Sequence, residues 1–120
     1  MYFTGTDNRW SIRWYNSEKR IVKKHVRQDV DVYLTLSPVG AGPTVRLTQH
    51  DNFLNEYPVP GDVSTETLVE HGNELTLSAP GFGVIAHIAG QDPIDGEHRG
   101  ILRDIFDPAV IPVLCQALTP

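Results

Sequence analysis

"RIVKKHVRQDVDVYLTLS", residues 20–37, decides the fold class. Val30, Val32, Leu34 and Leu36 alternate with Asp31, Tyr33, Thr35 and Ser37, the two-residue repeat of a strand with one buried face. The parity runs backwards through Val26 and Val22, while Ile21, Lys23, His25, Arg27 and Asp29 take the other face. A helix starting at Ser17 with Glu18 in its first turn competes for residues 18–27. The alternation favours extended chain.

Working outward, "PVGAGP" (38–43) reads as a turn, and "TVRLTQH" after it alternates again, so a hairpin is expected. "DNFLNEYPVPGD" (51–62) shows no period and holds two prolines, which marks it as the longest loop and a place to look for function. "TETLVEHGNELTLS" reads as a hairpin turning at His71, Gly72 and Asn73. "FGVIAHIAG" carries apolar residues on both faces and reads as a central strand. "QDPIDGE" is a further loop and "HRGILRDIF" a last strand. "DPAVIPVLCQAL" (107–118) offers Asp107 as N-cap and Pro108 at the first helical position, but Pro112 shortens the helix to about 112–118. The expected fold is all-β, a single β-sandwich or small barrel of about seven to eight short antiparallel strands with a short C-terminal helix.

The chain has 120 residues, the size of one domain, with 40% hydrophobic and 21% charged residues, an ordinary globular composition. The lone Cys115 permits no internal disulfide and, flanked by Leu114 and Leu118, reads as core. No apolar run approaches a membrane span and the N-terminus lacks a signal core, so a soluble chain is expected. The net charge of −5 is unevenly spread. Residues 1–27 hold seven basic residues against Asp7 and Glu18, a balance of +5, whereas residues 28–120 carry −10. The single domain, 1–120, thus divides into a basic, aromatic head and an acidic body.

Chemistry-bearing motifs are sparse. The five histidines form no paired metal motif, although ligands can meet from different strands, as in a mixed set of His50 with Asp51, His87 and, less directly, Asp104. There is no G-x-S-x-G, "GAGPT" lacks the lysine and helix of a phosphate loop, and Asp51, Asp62, Asp92 and Asp95 read as solvated turn formers. His87, inside an apolar run, reads as a buried structural imidazole packed under the last helix or a neighbouring copy and bonded to a carbonyl or hydroxyl. No catalytic residue, metal or cofactor is expected.

The partner-binding candidates are Arg9, Trp10, Arg13, Trp14, Lys19, Arg20, Lys23, Lys24 and Arg27. Trp10, Ile12 and Trp14 alternate with Ser11, Arg13 and Tyr15, giving an aromatic stripe with flanking arginines, as at the centre of many protein interfaces. A basic head beside an acidic body is complementary head to tail, which suits a structural subunit of a virion-like or other multi-copy assembly. The expected function is therefore a non-catalytic structural or interaction module contacting an acidic protein surface, on another chain or on copies of itself. Nucleic acid ranks below protein as partner because the whole chain is acidic, and no membrane contact is expected. The alternative is a small β-barrel enzyme or a metal- or ligand-binding protein with its site near the 51–62 loop.

Overall fold

The structure is a computed structural model that describes residues 1–38, 40–92 and 96–120. Six strands follow one another in chain order: β1 (Tyr2–Tyr15), β2 (Ile21–Thr35), β3 (Val45–Glu56), β4 (Thr67–Ala79), β5 (Gly83–Asp92) and β6 (Arg99–Arg103). Each pairs antiparallel with its sequence neighbour, forming one sheet ordered β1-β2-β3-β4-β5-β6. A 3₁₀ turn, Val63–Thr65, interrupts the β3–β4 connection, and helix α1 (Val110–Leu118) closes the chain.

The all-β class with a short C-terminal helix holds, but among the described residues the strands are fewer and longer than expected and form one open sheet, not a closed barrel and not the two packed sheets of a sandwich. Two misread breaks explain the difference. Residues 51–56, taken for loop, continue β3; only the stretch after Glu56 leaves the sheet. His71, Gly72 and Asn73, taken for a turn, lie inside the 13-residue β4. Gly72 uses its freedom there at φ +132° to stay in the ladder, not to reverse it.

The apolar residues 30, 32 and 34 of β2 share a face with Val45 and Leu47 of β3 and Leu77 and Ala79 of β4, as the register requires. Helix α1 lies on this face. Val110, Ala117 and Leu118 close a core with Val45, Leu77, Ala79, Ile85 and Ala86. Burying the leucine alone is worth about 1.5–3 kcal/mol. The register shift between β4 and β5 near Leu77 and Ser78 lets the adjacent Ile85 and Ala86 both reach the interior. Pro112 sits in the first turn of a helix that begins at Val110, where its missing N–H costs no internal bond. With residues 110, 117 and 118 turned to the sheet, Cys115 falls on the outer side and is exposed, contrary to its reading as core.

The helix covers only one end of the sheet. The molecule measures 58 × 29 × 19 Å with a radius of gyration of 17.8 Å, against about 14 Å for a compact chain of this length. All of β1 is exposed. The face away from α1, called here the open face, carries cross-strand polar pairs: Asp31 accepts two bonds of 2.8 Å from Arg46, and Asp29 accepts from His50 at 2.8 Å and, along its own strand, from Arg27 at 3.1 Å. His87 belongs to this face. It is half-buried with its Nδ1 2.9 Å from Thr76 Oγ1, the expected hydroxyl partner, but it does not lie under the helix.

One row crosses the helix face through Arg9, Gln28, Asp51, Gly72, Gly90 and Gly100. Its three glycines have φ of +132°, +148° and +152°, and a Cβ at each would meet the neighbouring backbone within 2.4 Å. Only glycine fits at these three positions, which line up across β4, β5 and β6 and are called here the glycine crease.

Candidate functional site

Two places collect polar groups: the β1 edge and the helix face beyond α1. On β1 the alternation read from the sequence holds. Trp10, Ile12 and Trp14 are opposite Arg27, His25 and Lys23 on the open face. Trp10 meets the His25 ring edge-on at 5.5 Å, and Lys23 Nζ lies 5.7 Å from the Trp14 ring centre. Both tryptophans stay exposed, at 46% and 42%. The basic candidates do not share one surface. Arg9, Arg13 and Lys24 lie on the helix face and Lys23 and Arg27 on the open face. Lys19 and Arg20 occupy the β1–β2 turn, where Asn16 Oδ1 accepts the backbone N–H of Glu18 and Arg20 at 3.0 and 2.9 Å. Several of these cations are matched locally: Arg9 by Asp7 at 3.2 Å, Arg20 by Glu18 at 3.4 Å and Arg27 by Asp29 at 3.1 Å.

Among the described residues, no strand lies on the outer side of β1. Sheet edges ordinarily carry lysine, proline or very short strands that deter pairing. The opposite edge, β6, is five residues long and bears Arg99 and Arg103. β1 also bears charge, at Asp7, Arg9 and Arg13, but it runs 14 residues, "YFTGTDNRWSIRWY", with neither lysine nor proline.

The second place was not legible in the sequence. Asp51 of β3, Glu70 and Glu74 of β4, Asp92 of β5 and His98 just before β6 converge around the glycine crease. A register shift of β4 near Asn73 and Leu75 leaves the Glu74 carbonyl outside the regular ladder, and Gln49 Nε2 donates to it at 2.6 Å. His98 is pinned at both ring nitrogens: Nδ1 to Asp92 Oδ1 at 2.7 Å and Nε2 to the Ile101 carbonyl at 3.2 Å. Glu74 Oε1 lies 3.8 Å from His98 Nδ1, and the Glu74 and His98 side chains are 13% and 14% exposed. Asp51 is 1% exposed. Asp51 Oδ1 and Glu74 Oε1 are buried and accept no hydrogen bond.

Burial dominates the acid–base behaviour of this cluster. Taking Glu70 out of water, then its hydrogen bond to Asp51, pushes its carboxyl up to about 7. Burial raises Asp51 and Glu74 as well, with repulsion from Asp92 adding to Glu74. Asp92, by accepting from His98, holds the imidazole above its ordinary value. A buried group of like charges stores protons in this way.

The metal set available from the sequence does not assemble: His50 and His87 face the open side, Asp51 faces the helix side, and Asp104 caps the turn before α1 through the Phe106 N–H. Of the aspartates read as solvated turn formers, Asp62 is one, accepting from Ser64 N at 2.9 Å. Asp51 and Asp92 are strand residues of the cluster, and Asp95 lies outside the described residues. Among the described residues, no helix is long and apolar enough to cross a membrane. The chain matches no known protein family, no curated protein and no solved structure.

Proposed function

We propose that this protein is a non-catalytic interaction module of a multi-copy assembly, and that it associates through β1 with β1 of a second copy. The observation that carries the reading is the unprotected 14-residue edge with both tryptophans exposed beside it. Such an edge gains a full set of backbone hydrogen bonds when another strand is added.

The favoured occupant follows from register. Two copies related by a twofold axis normal to the sheet keep their faces matched only when paired residues share parity. The longest overlaps are centred on Asn8 or Arg9. Centring on Arg9 opposes that cation to itself. Centring on Asn8 sets Asp7 against Arg9 of the second copy at two equivalent places, Phe3 against Arg13 and Tyr2 against Trp14. Opposite charges and aromatic pairs across strands each contribute about 0.2–1 kcal/mol. A separate acidic protein surface is the weaker occupant, because Arg20, Lys23 and Arg27 of the head are already matched within the chain by Glu18, Glu56 and Asp29. The division of the cations between two faces likewise disfavours a nucleic-acid strand, which needs one continuous basic track.

Position-specific crosslinking tests this. In a Cys115→Ser background, Asn8→Cys should form a disulfide-linked dimer under mild oxidation, and Trp10→Cys, opposite Thr6 of the second copy, should not. Sedimentation should show Asp7→Arg weakening the dimer, and the swap Asp7→Arg with Arg9→Asp restoring it. A chain that stays monomeric by sedimentation at about 100 µM, roughly −5.5 kcal/mol on the affinity scale, overturns the proposal.

A further inference from the structure

We propose that Glu74, Asp92 and His98 form a binding site for one divalent transition cation of the zinc class, with Asp51 and Glu70 as the surrounding acidic shell. The site goes beyond the strand-edge reading and does not depend on it.

Geometry carries the inference. The ligand atoms Glu74 Oε1, Asp92 Oδ1 and His98 Nδ1 all lie within 4.8 Å of one another. Tetrahedral ligands on bonds of about 2.1 Å sit roughly 3.4 Å apart. The observed separations of 2.7 Å between Asp92 and His98 and 3.8 Å between Glu74 and His98 bracket that spacing. On a flat sheet, Glu74 would stand about four residues, some 13 Å, along the strand direction from the row of Glu70 and Asp92. Gly72, Gly90 and Gly100 lie between the two rows, and the Glu74 and Asp92 oxygens nonetheless come within 4.8 Å of each other.

Two further features distinguish this cluster from a solvated acidic patch. The His98 Nε2–H donates to the Ile101 carbonyl, the outer bond that orients a metal-binding imidazole and leaves Nδ1 facing the site. Glu74 Oε1, a ligand atom of the set, is buried and accepts no hydrogen bond, and Asp51, 1% exposed and close enough to repel Glu74, also keeps a buried unpartnered oxygen. Unsatisfied buried carboxylate oxygens are rare because they forfeit their hydration. A cation removes that deficit. One imidazole with two carboxylates selects zinc-like ions over magnesium or calcium, which prefer all-oxygen shells.

The test is calorimetric titration of the full-length protein, stripped of metal, with Zn²⁺ and separately with Mg²⁺. One Zn²⁺ should bind per chain and raise the melting temperature, and Mg²⁺ should bind at least about 100-fold more weakly. His98→Ala should weaken Zn²⁺ binding by about 100-fold or more, and the isosteric Glu74→Gln by about 10-fold or more. Glu74→Gln keeps the shape of a side chain whose Oε1 makes no hydrogen bond, so it tests the site even if His98→Ala unfolds. The control Cys115→Ser with His71→Ala should leave affinity unchanged. Absence of Zn²⁺ binding, binding that survives both site variants, or equal affinity for Mg²⁺ overturns the proposal.

Discussion

Raising the pH from about 5 to about 8 is expected to destabilise this fold, and Glu70→Gln is expected to remove much of that loss. The Glu70 carboxyl, ordinarily near 4.5, is held at about 7 by burial, then by its hydrogen bond to Asp51 and by repulsion from Glu74, Asp51 and Asp92. A carboxyl raised in the folded state binds its proton more tightly there than in the unfolded chain. Its contribution is complete below the unfolded value and is lost as the pH climbs through the folded one. At 1.36 kcal/mol per pH unit the rise corresponds to about 3 kcal/mol. Glu70 keeps part of its side chain in water, and screening reduces this to about 1.5 kcal/mol. Asp51 and Glu74, raised mainly by burial, and His98, raised mainly by Asp92, act in the same direction.

Asp29, Asp31 and Asp62, at the surface, act oppositely. Hydrogen bonds from His50, Arg46 and Ser64 lower them, so their contribution is lost only in stronger acid. Maximum stability is therefore expected near about pH 4–5, acid of the usual range. The assay is urea unfolding followed by circular dichroism, in EDTA so that no divalent ion holds the carboxylates ionised. Glu70→Gln should match the wild type at about pH 5 and exceed it by about 1.5 kcal/mol at about pH 8. A wild type that gains stability over this interval, or a variant equally destabilised at both ends of it, refutes the reasoning.

Leu77→Ala, removing a side chain only 3% exposed at the centre of the core, should cost about 3 kcal/mol in the same assay. Gly90→Ala places a Cβ 2.2 Å from the Arg99 carbonyl oxygen and should cost about 2 kcal/mol or more, with selective loss of amide protection in β5 and β6 by hydrogen exchange. Cys115, on the outer side of α1, should react stoichiometrically with a thiol reagent in the absence of denaturant; a silent thiol would place it in the core after all.

The parts of the fold that were legible are those where one face is apolar and its neighbour polar. The alternation in residues 30–35 and the Trp10, Ile12, Trp14 stripe gave correct strands and correct faces, whereas Leu36, read as continuing the buried face, lies beyond the end of β2 and is exposed. Residues 51–56 failed because the helix-face set Asp51, Phe53 and Asn55 and the open-face set Asn52, Leu54 and Glu56 each mix polar and apolar residues, so no period shows. Gly72 failed for a different reason: the composition of a turn and that of a crease are the same, and only the partner strand tells them apart. The carboxylate cluster was invisible because Glu74, Asp92 and His98 come from different parts of the chain and only pairing, register shift and crease together unite them. The charge partition was real, yet Arg27 and Lys23 of the head lie beside Asp29 and Glu56 of the body, so folding cancels part of it.

The sequential order of the sheet has a mechanical meaning. Since each strand is bonded only to its chain neighbours and β1 supplies no residue to the core cluster, tension on the N-terminus loads the β1–β2 ladder from its free end. The rungs then open one after another, as in a zipper, where a strand held between two distant partners would have to shear many bonds at once. Pulling from that end should therefore release an extension of β1 at low force while the helix-covered end stays folded, making β1 a compliant tether and the remainder its anchor.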